Sequence, residues 1–190
     1  FFPPSLMVEA VTIMMLIKCG ISGIAFAIYL DKSGRKRNAY SYAMFGTMYA
    51  LCGYAMAYQT NTMWMDALMW LPLLTLGIEA LIKEGRFKLY IVMLSLIIWS
   101  NYYVGYMVCI YTALYFFYYY FAHNENKRNN PRLEKSHFRR SLFRMAGSAI
   151  IGIGISAVIV LSAYYALQFG KNTFSKPNFS LLFRFDLFDF

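Results

Sequence analysis

The sequence predicts an all-α fold, a polytopic transmembrane helical bundle, on three observations. Of its 190 residues 59% are hydrophobic and only 14% charged, against roughly 25% charged in ordinary soluble domains. The apolar residues fall into runs long enough to form membrane helices, about 20 residues sufficing for one crossing. The basic residues behind the net charge of +9 gather in the short breaks between those runs: fourteen of eighteen lie in 31–38, 83–88 and 123–144. That clustering is the positive-inside pattern and puts all three loops on the cytoplasmic side. A soluble domain and a disordered chain are both excluded by this composition. Nucleic acid is not expected as a partner, because the basic loops carry no stacking-aromatic motif; the expected partner is the lipid bilayer.

The first apolar run, 5–30, carries Glu9 and Lys18 and should run inward. Run 39–58 returns outward, and the tight outer loop QTNTMWM leads into 66–83, with Trp64 and Trp70 placed for an interfacial aromatic belt. The run 89–122 is different. As one helix its 34 residues would extend roughly 51 Å, well beyond a hydrocarbon core of about 30 Å. Both flanking loops are basic, so the chain must cross an even number of times between them. A broken hairpin satisfies this, with limbs at 89–100 and 105–122 and a turn in Ser100-Asn101-Tyr102-Tyr103-Val104-Gly105. Its short first limb implies a turn recessed into the membrane, where irregular backbone has to be covered by protein or line a wet cavity. The last run, 145–168, goes outward, and its Ser148, Gly152 and Ser156, four residues apart, form a helix-packing face. About six membrane segments result over 1–168, with 169–190 beginning an extracytoplasmic segment. The chain starts at Phe1 without a signal peptide and stops in FRFDLFDF, which reads as a fragment of a larger protein.

Ionisable groups inside such spans cost about 2.5–3.5 kcal/mol each on insertion scales and are functional candidates. Counted from the outer ends of their helices, Lys18 and Glu79 reach similar depth, which predicts a Lys18–Glu79 pair between helices. The alternatives for Lys18 are a ligand for a lipid phosphate, or an ammonium facing a water-filled cavity. Asp66 and Glu9 belong at the outer boundary, where a carboxylate can act as a base or meet a divalent metal; the other reading of both is a solvated interfacial carboxylate or a helix N-terminal charge, which the macrodipole favours at Asp66. The metal itself is unknown from sequence. Asp186 and Asp189 lie beside Arg184 in the outer segment, and Asn178-Phe179-Ser180 matches a glycosylation sequon. His123 and His137 both sit in the basic loop, leaving nothing for a Ser-His-Asp site. Cys19, Cys52 and Cys109 are odd in number and lack metal or disulfide spacing. No GxGxxG or GxxxxGK[ST] motif occurs.

The runs MVEAVTIMMLIKCGISGIAFAIYL, SYAMFGTMYALCGYAMAY, MWMDALMWLPLLTLGIEALIKEG and SNYYVGYMVCIYTALYF, in that order and spacing, resemble the bacterial YfhO-type membrane proteins of the GT-C class of glycosyltransferases. The carrying signatures are W-x-D-A-x-x-x-x-P from Trp64 to Pro72, G-I-E from Gly77 to Glu79 and S-N-Y-Y-V-G-Y from Ser100 to Tyr106. The resemblance implies a GT-C-like fold in the bacterial cytoplasmic membrane. It also implies transfer of a sugar from a polyprenyl-phosphate carrier to an envelope polymer such as teichoic or lipoteichoic acid. Members of that class place an acidic residue in the first outer loop, which here would lie upstream of Phe1. Within the chain, Asp66 and Glu9 are the expected catalytic carboxylates, and Lys18, Trp64, Asn101, Tyr102 and Tyr103 the expected substrate-binding residues. Tyr115 and Tyr118 to Tyr120 are expected to serve as interfacial anchors. The rival readings are a transporter or flippase of lipid-linked saccharides and a non-catalytic assembly partner.

Overall fold

A computed structural model of the chain describes residues 7–34, 38–58, 61–122 and 131–170. Every element in it is helical: α1 (Met7–Lys32), α2 (Ala39–Ala50), α3 (Gly53–Ala57), α4 (Thr62–Glu84), α5 (Lys88–Ser100), α6 (Tyr102–Ala122), α7 (Pro131–Ile155) and α8 (Ala157–Gly170). The all-α bundle is therefore as expected, and each of the six expected segments holds helix within the described residues. Their lengths differ in consequence. Within the described residues α1, α4 and α6 are each long and apolar enough to cross a membrane, and α7 with α8 makes a fourth span if the bent pair is taken as one.

Four boundaries differ from the expectation. Run 39–58 breaks at Leu51-Cys52, where Leu51 leaves helical geometry, so α2 extends only about 18 Å at 1.5 Å per residue. The segment expected at 66 begins at Thr62, which puts Trp64 and Asp66 inside the first turns of α4. The polar stretch expected as a loop up to 144 is helical from Pro131; proline suits a first helical position, and Arg, Leu, Glu and Lys are good helix formers whatever their polarity. Finally, 145–168 bends by 68° at Ser156. There the Ser156 hydroxyl donates to Ser95 O of α5 at 3.0 Å and the Ser95 hydroxyl donates to Gly152 O at 3.2 Å. These bonds tie the break to its neighbour, and Ser148, Gly152 and Ser156 line one packed face, Ser156 fully buried and Gly152 against Leu94. Residues His123, Asn178, Arg184, Asp186 and Asp189 lie outside the described residues.

The hairpin is tighter than expected. Asn101 alone links α5 to α6, its Oδ1 accepting the backbone N–H of Tyr103 at 3.0 Å and of Val104 at 3.3 Å. That is an N-cap, the side chain meeting donors that the first helical turn leaves unpaired.

At the centre stands α4, packed against α1, α5, α6 and α7. Its Leu74, Ile78 and Leu81 join Tyr90, Leu94 and Ile97 of α5 and Phe116 of α6 in one buried cluster. Gly77 permits a close approach of backbones: a Cβ there would stand 2.8 Å from the backbone nitrogen of Tyr90. The outward side of α1, by contrast, presents Leu16, Ile17 and Ile24 to the surroundings, as a lipid-facing helix does.

Pro72 lies inside α4 and has no N–H to give to Leu68 O, the carbonyl four residues back. Tyr49 of α2 supplies the missing donor, its hydroxyl reaching Leu68 O at 2.8 Å, while its ring stacks on Phe26 of α1 at 4.5 Å. In an apolar medium an unmatched carbonyl is costly, so this bond holds α2 against α4. Tyr49→Phe should destabilise the full-length protein in detergent by about 1–3 kcal/mol. In a Pro72→Ala background the restored N–H satisfies Leu68 O, and the same substitution should cost clearly less. Equal costs in the two backgrounds, measured by thermal unfolding, would refute the compensation.

Candidate functional site

Three of the four candidate charges in the spans are placed by contacts along α4. Lys18 Nζ of α1 lies 2.6 Å from Asp66 Oδ1 and donates to Thr62 O at 2.9 Å. The two side chains are 16% and 21% exposed, so the pair is sheltered but open to a ligand. An ammonium beside the positive end of a helix dipole is unfavourable alone; the Asp66 carboxylate in the first turns offsets it.

The expected Lys18–Glu79 pair is therefore replaced by Lys18–Asp66. Counting depth from helix starts assumed that α1 and α4 begin in one plane. Lys18 lies eleven residues into α1, about 16 Å, whereas Asp66 lies only four into α4, about 6 Å. Because α1 starts higher, Lys18 meets the beginning of α4 rather than its middle.

Glu79, 2% exposed, is met by hydroxyls instead. Tyr29 and Tyr115 donate to its Oε1 at 3.1 and 2.9 Å, Ser33 Oγ lies 3.0 to 3.1 Å from both oxygens, and Lys83 Nζ stands 3.7 Å from Oε2. Tyr115 is thus a carboxylate ligand inside the bundle and not an interfacial anchor. Tyr119 and Tyr120 are buried and Tyr115 half-buried, while Tyr118 alone of that set is exposed. The run of tyrosines winds around α6, so one face of it must point at α4. Sequence reasoning missed this cluster because a Tyr hydroxyl leaves no spacing signature for the acid it will meet.

Of the other expected site residues, Trp64 is half-buried and its ring packs on Tyr58 at 4.9 Å, with Tyr54 beyond at 5.0 Å. Asn101 spends its side-chain oxygen on the N-cap, a structural task for a residue expected to bind substrate. Tyr102 and Tyr103 are exposed and, with Tyr106, Tyr164, Ile98 and Val160, line an apolar cavity of about 360 Å³ between the hairpin and α8. Thr75 meets Tyr111 and Glu79 meets Tyr115, each 36 residues apart, and the same offset carries Asp66 to the level of Tyr102. The ion pair and the hairpin turn thus share one end of the bundle. Glu9 does not join them; it is exposed and nine residues above Lys18 on α1, about 13 Å. Among the described residues no three His, Cys, Asp or Glu gather as metal ligands, and Asp66 faces an ammonium rather than a second carboxylate.

Residues 1–190 match the family model described as bacterial membrane protein YfhO. The chain belongs to the YfhO family. It is 34% identical over 100 residues to the uncharacterized protein YfhO of Bacillus subtilis (strain 168), a match covering 53% of this chain and 11% of that protein. The matched stretch thus spans about a tenth of the length of its YfhO relative. No solved structure matches.

Breaking the ion pair from one side leaves a charge unpaired. Lys18→Met or Asp66→Asn should each destabilise the full-length YfhO protein by about 1–3 kcal/mol, below the 3–5 of a sealed pair because both groups are partly exposed. The double variant should cost less than the two single losses added. Exchanging the charges of Lys18 and Asp66 should recover part of the loss, whereas exchanging Lys18 with Glu79 should recover none; detergent-solubilised melting temperatures decide between them.

Proposed function

We propose that the chain is part of a membrane glycosyltransferase. It would move a sugar from a polyprenyl-phosphate carrier to an envelope polymer such as teichoic or lipoteichoic acid, at the outer face of the bacterial cytoplasmic membrane. The observation that carries this reading is the Lys18–Asp66 pair: a cation and a carboxylate side by side, partly exposed, at the end of the bundle where the tyrosine-bearing hairpin turns. Membership of the YfhO family supports it.

In this reading the phosphate of the carrier displaces Asp66 from Lys18. The bond between the sugar C1 and the phosphate oxygen breaks, the phosphate leaves with the electron pair, and Lys18 offsets the charge developing on it. Asp66, released, accepts the proton of the acceptor hydroxyl as that oxygen bonds to C1. Trp64, Tyr102 and Tyr103 supply aromatic faces for sugar and polyprenyl chain. Glu9, remote from the pair, has the role of an outer carboxylate at the approach and not of the base. The basic stretches 31–38, 83–88 and 123–144 face the cytoplasm in this orientation.

One observation favours the transporter or flippase reading: the 68° break at Ser156 beside the short α5, since broken helices serve substrate paths in transporters. The test is Asp66→Asn in the full-length protein, at verified membrane abundance, followed by analysis of the sugars on purified envelope polymers. Loss of one sugar, with translocation of a labelled lipid-linked saccharide in proteoliposomes unchanged, is expected for the transferase. Lost translocation would favour the flippase, and an unchanged sugar profile would return Asp66 to a structural role.

A further inference from the structure

At the opposite end of the bundle from the Lys18–Asp66 pair, α1, α4 and α5 enclose a cavity of about 610 Å³. Four cationic residues line it: Lys32 at the end of α1, Lys83 in the last turn of α4, Arg86 in the turn, and Lys88 at the start of α5. The turn is shaped by Gly85, which has φ of +73° and closes α4 with its N–H on Leu81 O and the Arg86 N–H on Ala80 O. The guanidinium of Arg144 from α7 lies over Gly85 and adds a further positive charge beside the cavity.

Two carboxylates line it as well, and both are engaged. Glu84 pairs with Arg86. Glu79 is buried beneath the hydroxyls of Tyr29, Ser33 and Tyr115, with Lys83 at 3.7 Å. Lys32 and Lys88 are exposed and have no carboxylate partner among the described residues. The cavity is thus left with positive charge that nothing in the described chain neutralises.

Among its apolar lining, Phe87 and Leu89 flank the turn, and two residues of α4 lie deeper. Leu76 and Ala80 line it from α4, and Leu76 is seven residues before Lys83, about 10 Å nearer the middle of the helix. Cations at the end and an apolar wall running inward match an amphiphile whose charged group stays at the surface while its chain runs along the helix.

We propose that this cavity binds a phosphate group, that of an anionic phospholipid, with Lys32 and Lys88 as its principal ligands. The phosphate oxygens accept hydrogen bonds from the two ammonium groups, Arg86 and Lys83 add charge around them, and the acyl chain follows Leu76 and Ala80. The site is separate from the proposed sugar-transfer site and does not depend on it.

The test uses the full-length protein in a neutral detergent and follows its melting temperature against dioctanoyl phosphatidylglycerol, dioctanoyl phosphatidylcholine and inorganic phosphate. Phosphatidylglycerol should raise the melting temperature saturably and phosphatidylcholine should not. In Lys32→Gln/Lys88→Gln the apparent affinity should fall tenfold or more. In Arg139→Gln/Arg140→Gln, which removes the same charge from exposed positions that do not line the cavity, it should not change. A response to inorganic phosphate equal to that of the lipid, and lost in Lys32→Gln/Lys88→Gln, would support the phosphate site and assign it to free phosphate. Equal weakening in the two double variants, or no response to either anion, would overturn it.

Discussion

The organisation of the bundle depends on one constraint: the polar groups of α4 that its own backbone ladder leaves unmatched have to find partners inside an apolar medium. Lipid offers no hydrogen bonds, so these groups draw partners from neighbouring helices, Thr75 also donating to Leu71 O of α4 itself. Lys18 of α1 meets Thr62 O and Asp66, Tyr49 of α2 meets Leu68 O, Tyr111 of α6 lies 3.1 Å from Thr75, and Tyr29, Ser33 and Tyr115 meet Glu79. These contacts are spaced along the whole length of α4 and come from three different helices. Apolar packing alone would allow α1, α2 and α6 to slide or rotate against α4; the polar contacts choose one register.

The partition between the two ends of the bundle follows from that register. Because α1, α4 and α6 run parallel, their beginnings share one end and their terminal turns the other. One end therefore holds an ion pair open to ligands, a Trp–Tyr cluster and the hairpin turn. The other holds Lys32, Lys83, Arg86, Lys88 and Arg144 around a deep buried acid. The same helices thus present two chemically different mouths, one with a carboxylate and an ammonium in contact, the other with cations in excess.

Much of this was legible in the sequence. Composition and run length gave the helical membrane class, and the excess length of 89–122 together with the basic flanks located the hairpin, whose turn contracts to Asn101. Asp66 and Lys18 were recognisable as costly charges, but their partnership was not, since it depends on how far α1 begins above α4 and no residue pattern encodes that offset. The Tyr49 to Leu68 O bond was half legible: Pro72 announces a carbonyl in want of a donor, yet nothing local says which tyrosine provides it. The bend at Ser156 was hidden for a similar reason. A serine in an apolar helix looks like one more small packing residue until a facing carbonyl, here Ser95 O, gives its hydroxyl a destination.

The Asn101 turn bears on how the chain enters the bilayer. At 13 residues α5 extends about 20 Å, short of a hydrocarbon core of about 30 Å, and it is joined through Asn101 alone to α6, which has full length. A segment too short to hold a transmembrane position cannot be released into lipid by itself. The tight turn ties the depth of α5 in the bilayer to that of α6, and α4 packs against both. The membrane unit here is therefore the pair of limbs rather than the single helix, and the Asn101 cap is what makes them one.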